Sequence, residues 1–126
     1  MRKTGPDKRT VELIHNRSAG ICERCGWAEG QQIHHRRARG MGGTRRDSTN
    51  AVYSLAHLCH PCHSLVESNR LEALSDGWLV SQHGDPSRVP VLYRGTWRLL
   101  DNEGGWMNCE SGVSSLSSGD PMTPTN

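Results

Sequence analysis

Apolar positions come in short bursts along this chain, separated by polar, glycine-rich or charged stretches, so the elements they predict are short. Over Asp7–Ser18 (DKRTVELIHNRS), Val11, Leu13 and Ile14 punctuate a polar run. Asp7 is a candidate N-cap and Gly20 a C-terminal stop, which predicts one helix. Ile21-Cys22-Glu23-Arg24-Cys25-Gly26 predicts a turn closed by two cysteines and a glycine. Gln31–His35 predicts a short strand, and Val52–Leu58 alternates well enough for a second. Between them, residues 36–50 carry Gly40, Gly42 and Gly43 among arginines, which predicts a long loop. Such loops inside a compact domain usually carry function. From Cys59 to Gly77 the pattern predicts a helix. Pro61 falls in its first turn, where proline is tolerated, and Leu65, Val66, Leu71 and Leu74 supply apolar faces. Trp78–Val80, Val89–Tyr93 and Thr96–Leu100 predict short strands, and the Ser, Gly, Thr and Pro residues from 108 onward predict a disordered tail. The expectation is an α+β domain over residues 1–107, with a motif core at about 17–77 and a tail at 108–126.

Composition makes a thin core the central difficulty. The 126 residues suit one domain, yet Leu, Ile and Val number only 21 and there is no Phe. A core this thin struggles alone, and natural domains of this kind usually carry a staple such as a metal or disulfides. The formal net charge of +2 argues against wholesale disorder. No apolar run approaches the roughly 18 residues of a membrane span, and Met1-Arg2-Lys3-Thr4-Gly5 leads into no apolar segment of a secretory signal. A soluble cytoplasmic protein is expected, where cysteines read as metal ligands before disulfides.

Charge is divided unevenly. Residues 1–46 hold 11 Lys+Arg against 4 Asp+Glu, and residues 47–126 hold 4 against 9. Arg36, Arg37, Arg39, Arg45 and Arg46 fall within eleven residues with no acid among them. Such a run is either a solvated loop or a strip for phosphates, since arginine offers a rigid fork of donors to phosphate oxygens.

Cys22-x2-Cys25 and Cys59-x2-Cys62 are two knuckles separated by 33 residues. Four thiolates close the shell of a tetrahedral zinc, which marks a structural site and supplies the missing staple. A thioredoxin-like redox pair needs one CxxC near a βαβ pattern, and the chain has no such pattern. Cys109 has no CxxC partner and reads as a free thiol. Of seven histidines, His15 and His83 read as surface or hydrogen-bonded residues, and His57 and His60, flanking the second knuckle, as exposed. His63 follows Cys62 directly and Glu67 lies four residues on, so in a helix the two share a face and can approach one ion. His34 and His35 are adjacent on a strand, where neighbours point to opposite sides. Different jobs follow: one binds a metal with His63 while the other acts as a base, for which an imidazole near its reference pKa of about 6.5 is suited at neutral pH.

Together, Cys22-x2-Cys25, His34-His35-Arg36-Arg37, Gly42-Gly43 and Leu58-Cys59-x2-Cys62-His63 resemble the HNH endonuclease family. The likeness is closest to its small four-cysteine form common in bacteriophages of actinobacteria. HHRRARGMGG and the later Val89-Pro90-Val91 and Gly95-Thr96-Trp97 look like that subgroup too, and the resemblance covers roughly Arg17 to Leu100. It implies a zinc-stapled ββα-metal, treble-clef-like fold and metal-dependent hydrolysis of DNA. By position it implies His35 as general base, with His34 and His63 as ligands of a catalytic divalent cation (Mg²⁺, Mn²⁺ or Ni²⁺). Glu67 is a third ligand by helical spacing alone. Arg36 or Arg37 is expected to add charge on the phosphate, with Arg39, Arg45 and Arg46 gripping the DNA backbone. Genes of this type often sit near packaging machinery, which suggests terminase or packaging partners in a bacterial host.

One position departs from the family pattern. Its central Asn, which orients the base histidine, is here Ser54, and serine is shorter with fewer donors than an amide. Asn50, nine residues before Cys59, is a candidate to compensate from the loop side. The alternative reading is a zinc-stabilised DNA-binding or adaptor module whose catalysis weakened when Asn gave way to Ser54.

Overall fold

The computed structural model describes residues 6–37 and 50–109. Arg39, Arg45, Arg46 and the expected tail beyond residue 109 lie outside them. Among the described residues, three helices and two small antiparallel sheets make an α+β arrangement. No helix there is long and apolar enough to cross a membrane.

Helix α1 (Lys8–Ser18) starts where expected: the Asp7 carboxylate accepts the Thr10 N–H at 2.9 Å. It ends at Ala19 and Gly20, both left-handed. The first knuckle follows, and then β1 (Gln32–His35) pairs antiparallel with β2 (Leu55–Leu58), placing His34 opposite Ala56 and His35 opposite Leu55. The expected second strand is shorter than its pattern, because Val52–Ser54 forms a single 3₁₀ turn before β2.

The predicted single helix is two. α2 (His60–Ser68) carries Pro61 in its first turn, and α3 (Arg70–Asp76) follows after Asn69 leaves the helical conformation at φ −117° and ψ 67°. Asparagine's side chain competes for backbone groups, so it favours such breaks. Gly77 ends α3 at φ 85°, and there glycine is required twice over: a Cβ would also lie 2.0 Å from the Pro90 carbonyl oxygen.

Trp78–Val80 is not a strand; only Val80 bridges Arg37, in parallel. The second sheet holds β3 (Val91–Tyr93), β4 (Thr96–Leu100) and β5 (Trp106–Asn108) in that order. β5 has no counterpart in the sequence reading, since its three residues are exposed and leave no alternation to find. The core is built around the cysteines: Cys22, Cys59 and Cys62 pack with Leu58, Val66, Trp78, Val91, Tyr93 and Leu100. A smaller cluster of Ile14, Val52 and Leu55 seats α1.

A polar network joins these parts. Glu23, fully buried inside the first knuckle, accepts both arms of Arg17 at 2.6 and 2.9 Å, the Tyr93 hydroxyl at 2.8 Å and the His57 backbone N–H at 2.8 Å. Every lone pair that burial strips of water finds a donor, which is the condition for tolerating a buried carboxylate. His57, expected at the surface, is instead buried, with its Nδ1 2.9 Å from Ser18 Oγ and its ring stacked on His15. Burial, with His15 beside it, lowers its pKa.

Candidate metal centres and the histidine cavity

The two knuckles meet. The sulfurs of Cys22, Cys25, Cys59 and Cys62 lie within 4.8 Å of one another. A tetrahedral zinc about 2.3 Å from each sulfur spaces them about 3.8 Å apart, so this donor set fits a structural zinc with little movement. The local chain explains the convergence: the Cys25 N–H points at Cys22 Sγ at 3.5 Å, and Cys59 and Cys62 occupy the cap and first turn of α2. Burial and the neighbouring thiols push Cys62 up to about 12, against a bond from Arg24 Nη1 at 3.4 Å that favours the thiolate. Burial also opposes ionisation of Cys25, but backbone N–H groups of Trp27 and Ala28 outweigh it and bring that thiol down to about 7.

A second group forms where β1 faces α2. His34, His63 and Glu67 each offer one donor atom within 4.8 Å of the others. Glu67 Oε2 lies 3.6 Å from His63 Nε2 and 4.0 Å from His34 Nδ1. Ligands about 2.1 Å from one cation sit roughly 3.0–3.4 Å apart, so the three need to draw in by several tenths of an ångström. The half-exposed Glu67 side chain has that freedom.

Both imidazoles are held in the form that leaves the right nitrogen bare. His34 Nε2 bonds the Trp78 carbonyl at 2.8 Å. A carbonyl only accepts, so Nε2 carries the hydrogen and Nδ1 keeps its lone pair toward Glu67. His63 Nδ1 bonds Gln32 Oε1 at 2.6 Å, which leaves Nε2 bare on the same side. Such outer partners fix ring orientation and tautomer at metal sites. Burial, with His63 nearby, holds His34 down to about 4 despite the Trp78 carbonyl, so it is neutral at pH 7. Two nitrogens and one carboxylate oxygen suit Mn²⁺, Ni²⁺ or Zn²⁺ better than Mg²⁺, which prefers oxygen.

His35 lies on the other side of β1, yet it and His34 both line one cavity of about 330 Å³ with Ile33, His63, Glu67, Arg70 and Leu79. Its Nε2 is 2.8 Å from Asn50 Oδ1. By the same acceptor argument, Asn50 leaves Nδ1 of His35 with its lone pair. Ser54 occupies a different place: it is buried at the end of the 3₁₀ turn that precedes β2, and its carbonyl accepts the Arg36 N–H at 2.8 Å.

No protein-family model, curated protein or solved structure matches this chain. The chemistry is therefore read from the side chains themselves, and two of the expected site residues move. Arg36, expected on phosphate, is fully buried. Its guanidinium donates to the carbonyls of Gly77 (2.9 Å), Tyr53 (2.6 Å), Pro86 (3.2 Å) and Val89 (2.7 Å). Burial and the nearby Arg17 hold its pKa down to about 9, still charged at neutral pH. Arg37 is 5% exposed, with Nη1 on the Gly84 carbonyl at 2.7 Å. Both therefore brace the chain that returns past β1. Sequence reasoning passed over Gln32 and Arg70. Gln32 shows no spacing signal, because its role depends on the cross-element approach of β1 and α2. Arg70 stands three residues after Glu67, and that spacing was the available clue.

Proposed function

We propose that this protein is a metal-dependent endonuclease of the HNH type, on a ββα-metal, treble-clef-like core stapled by zinc, hydrolysing DNA phosphodiester bonds. The observation that carries the reading is the convergence of His34 Nδ1, His63 Nε2 and Glu67 on one point, with His35 lining the same cavity. A pure binding module has no use for two imidazoles with their hydrogens turned away from an ion site. A divalent cation held by His34, His63 and Glu67 would polarise a non-bridging phosphate oxygen and stabilise the leaving 3′-oxygen.

The protein's own groups do the rest. His35 Nδ1 takes a proton from the attacking water as its oxygen bonds phosphorus. Asn50 holds the ring at 2.8 Å so that this lone pair faces the reaction and stabilises the imidazolium that forms. The phosphorus–3′-oxygen bond breaks, the departing 3′-oxygen takes a proton from solvent water and His35 returns its proton to solvent, leaving 5′-phosphate and 3′-hydroxyl ends. Asn50 supplies the amide that the family pattern puts at position 54, which supports an active enzyme over the catalytically weakened module.

The test is nicking of supercoiled plasmid with Mg²⁺, Mn²⁺ or Ni²⁺ by zinc-loaded wild type and His35→Ala. Metal-dependent cleavage absent in the variant supports the reading. Binding of DNA without cleavage in any of these metals sinks it and leaves the binding module.

A further inference from the structure

Arg70 is the first residue of α3, one step past the break at Asn69. It lines the cavity beside His34, His35, His63 and Glu67, and among the described residues no other lysine or arginine does so. We propose that Arg70 is the phosphate-binding cation of this cavity, contacting a non-bridging oxygen of the DNA phosphodiester presented to His35. The proposal rests on the nuclease reading above and assigns that site its substrate contact.

The need for such a group follows from the chemistry. A phosphodiester brings one negative charge, and more charge gathers on its oxygens as water adds, so a fixed cation there is worth most at that moment. The arginines that the sequence offered for this task are spent elsewhere: Arg36 and Arg37 are buried, with donors on backbone carbonyls. Arg70 is in the opposite condition. Its side chain is 59% exposed, and its ion-pair contact with Glu67, Nη1 to Oε1, is 3.7 Å, longer than a hydrogen bond. A pair this exposed contributes little to stability. The guanidinium is thus available at the rim, next to a carboxylate whose other oxygen faces the two histidines. Arginine's planar fork matches phosphate oxygens in a way a lone ammonium does not.

The experiment uses the zinc-loaded full chain and the variants Arg70→Gln and Arg70→Lys. Anisotropy of a labelled DNA duplex, titrated with NaCl without added divalent cation, gives the slope of log affinity against log salt. One lost phosphate contact lowers that slope by about one. Arg70→Gln is expected to show this loss, and Arg70→Lys to keep most of the slope. With Mn²⁺, kcat/KM for cleavage is expected to fall about 10- to 100-fold in Arg70→Gln, the range for one charge-assisted contact, with partial recovery in Arg70→Lys. An unchanged slope in Arg70→Gln overturns the proposal. That holds even if cleavage falls, because the residue would then act through Glu67 and not on phosphate. A lowered urea midpoint or zinc content in Arg70→Gln would make the residue a strut and overturn it too. If the wild type fails to cleave with Mg²⁺, Mn²⁺ and Ni²⁺ alike, the nuclease reading fails, while a lost slope in the same preparation still identifies Arg70 as a phosphate contact.

Discussion

Replacing Arg36 by methionine separates a structural arginine from a DNA-binding one. The side chain keeps much of its volume, so little cavity forms, but the carbonyls of Tyr53, Gly77, Pro86 and Val89 lose a charged donor. A buried acceptor left without its donor costs about 1–3 kcal/mol. Allowing for relaxation, and for the Pro86 carbonyl also receiving the Val89 N–H at 3.4 Å, the loss is at least about 4 kcal/mol. Against a total stability of about 5–15 kcal/mol, that is a large share. For a domain near 100 residues it corresponds to a fall in Tm on the order of 15–30 °C. Urea unfolding of zinc-loaded protein, followed by fluorescence of the buried Trp78 next to Gly77, reads the change directly. Arg70→Met is the control, expected within about 0.5 kcal/mol of wild type because its side chain is largely exposed. The opposite result is an Arg36→Met variant that keeps the wild-type midpoint and instead weakens DNA binding with a reduced salt slope. That pattern would restore Arg36 to the phosphate.

Other outcomes follow from the same contacts. Stripping zinc with a strong chelator, or replacing Cys22 or Cys59 by serine, should abolish the cooperative thermal transition, because the cysteines are themselves core residues; a retained transition in calorimetry would argue against a structural zinc. Gln32→Ala should weaken Mn²⁺ or Ni²⁺ binding at the histidine site about 10- to 100-fold with zinc content intact, by freeing the His63 tautomer; equal affinity by calorimetry would show that the 2.6 Å bond has no such role. Asn50→Ala should lower kcat by about 10-fold or more, with KM little changed, since it removes the partner of His35 and not a DNA contact. Ser54→Asn should cost about 1–3 kcal/mol by overpacking a buried position and should not raise cleavage; a faster enzyme would return the orienting role to residue 54.

Local spacing governs one part of this protein, and that part can be read directly from the order of residues. Two CxxC turns can present paired sulfurs wherever they fall, Asp7 caps a helix through its own neighbours, and His63 and Glu67 share a face because four residues make about one turn. Those features are settled within a few residues, and the α+β class and the residues of the four-cysteine cluster were legible from them, whereas which of His34 and His35 joins His63 and Glu67 was not. The tertiary structure decided everything that depended on which distant backbone a side chain meets. Arg36 and Arg37 stand in an arginine-rich run that has the composition of a phosphate strip, yet the return of the chain through residues 77–89 surrounds them with carbonyl oxygens that accept from their guanidinium groups. His57 is drawn inside by Ser18 and His15, and Glu23 by Arg17 and Tyr93. Asn50 reaches His35 across fifteen residues of chain. No periodicity encodes such meetings, because hydrogen-bond partners far apart in sequence are set by how the elements pack around the cysteines.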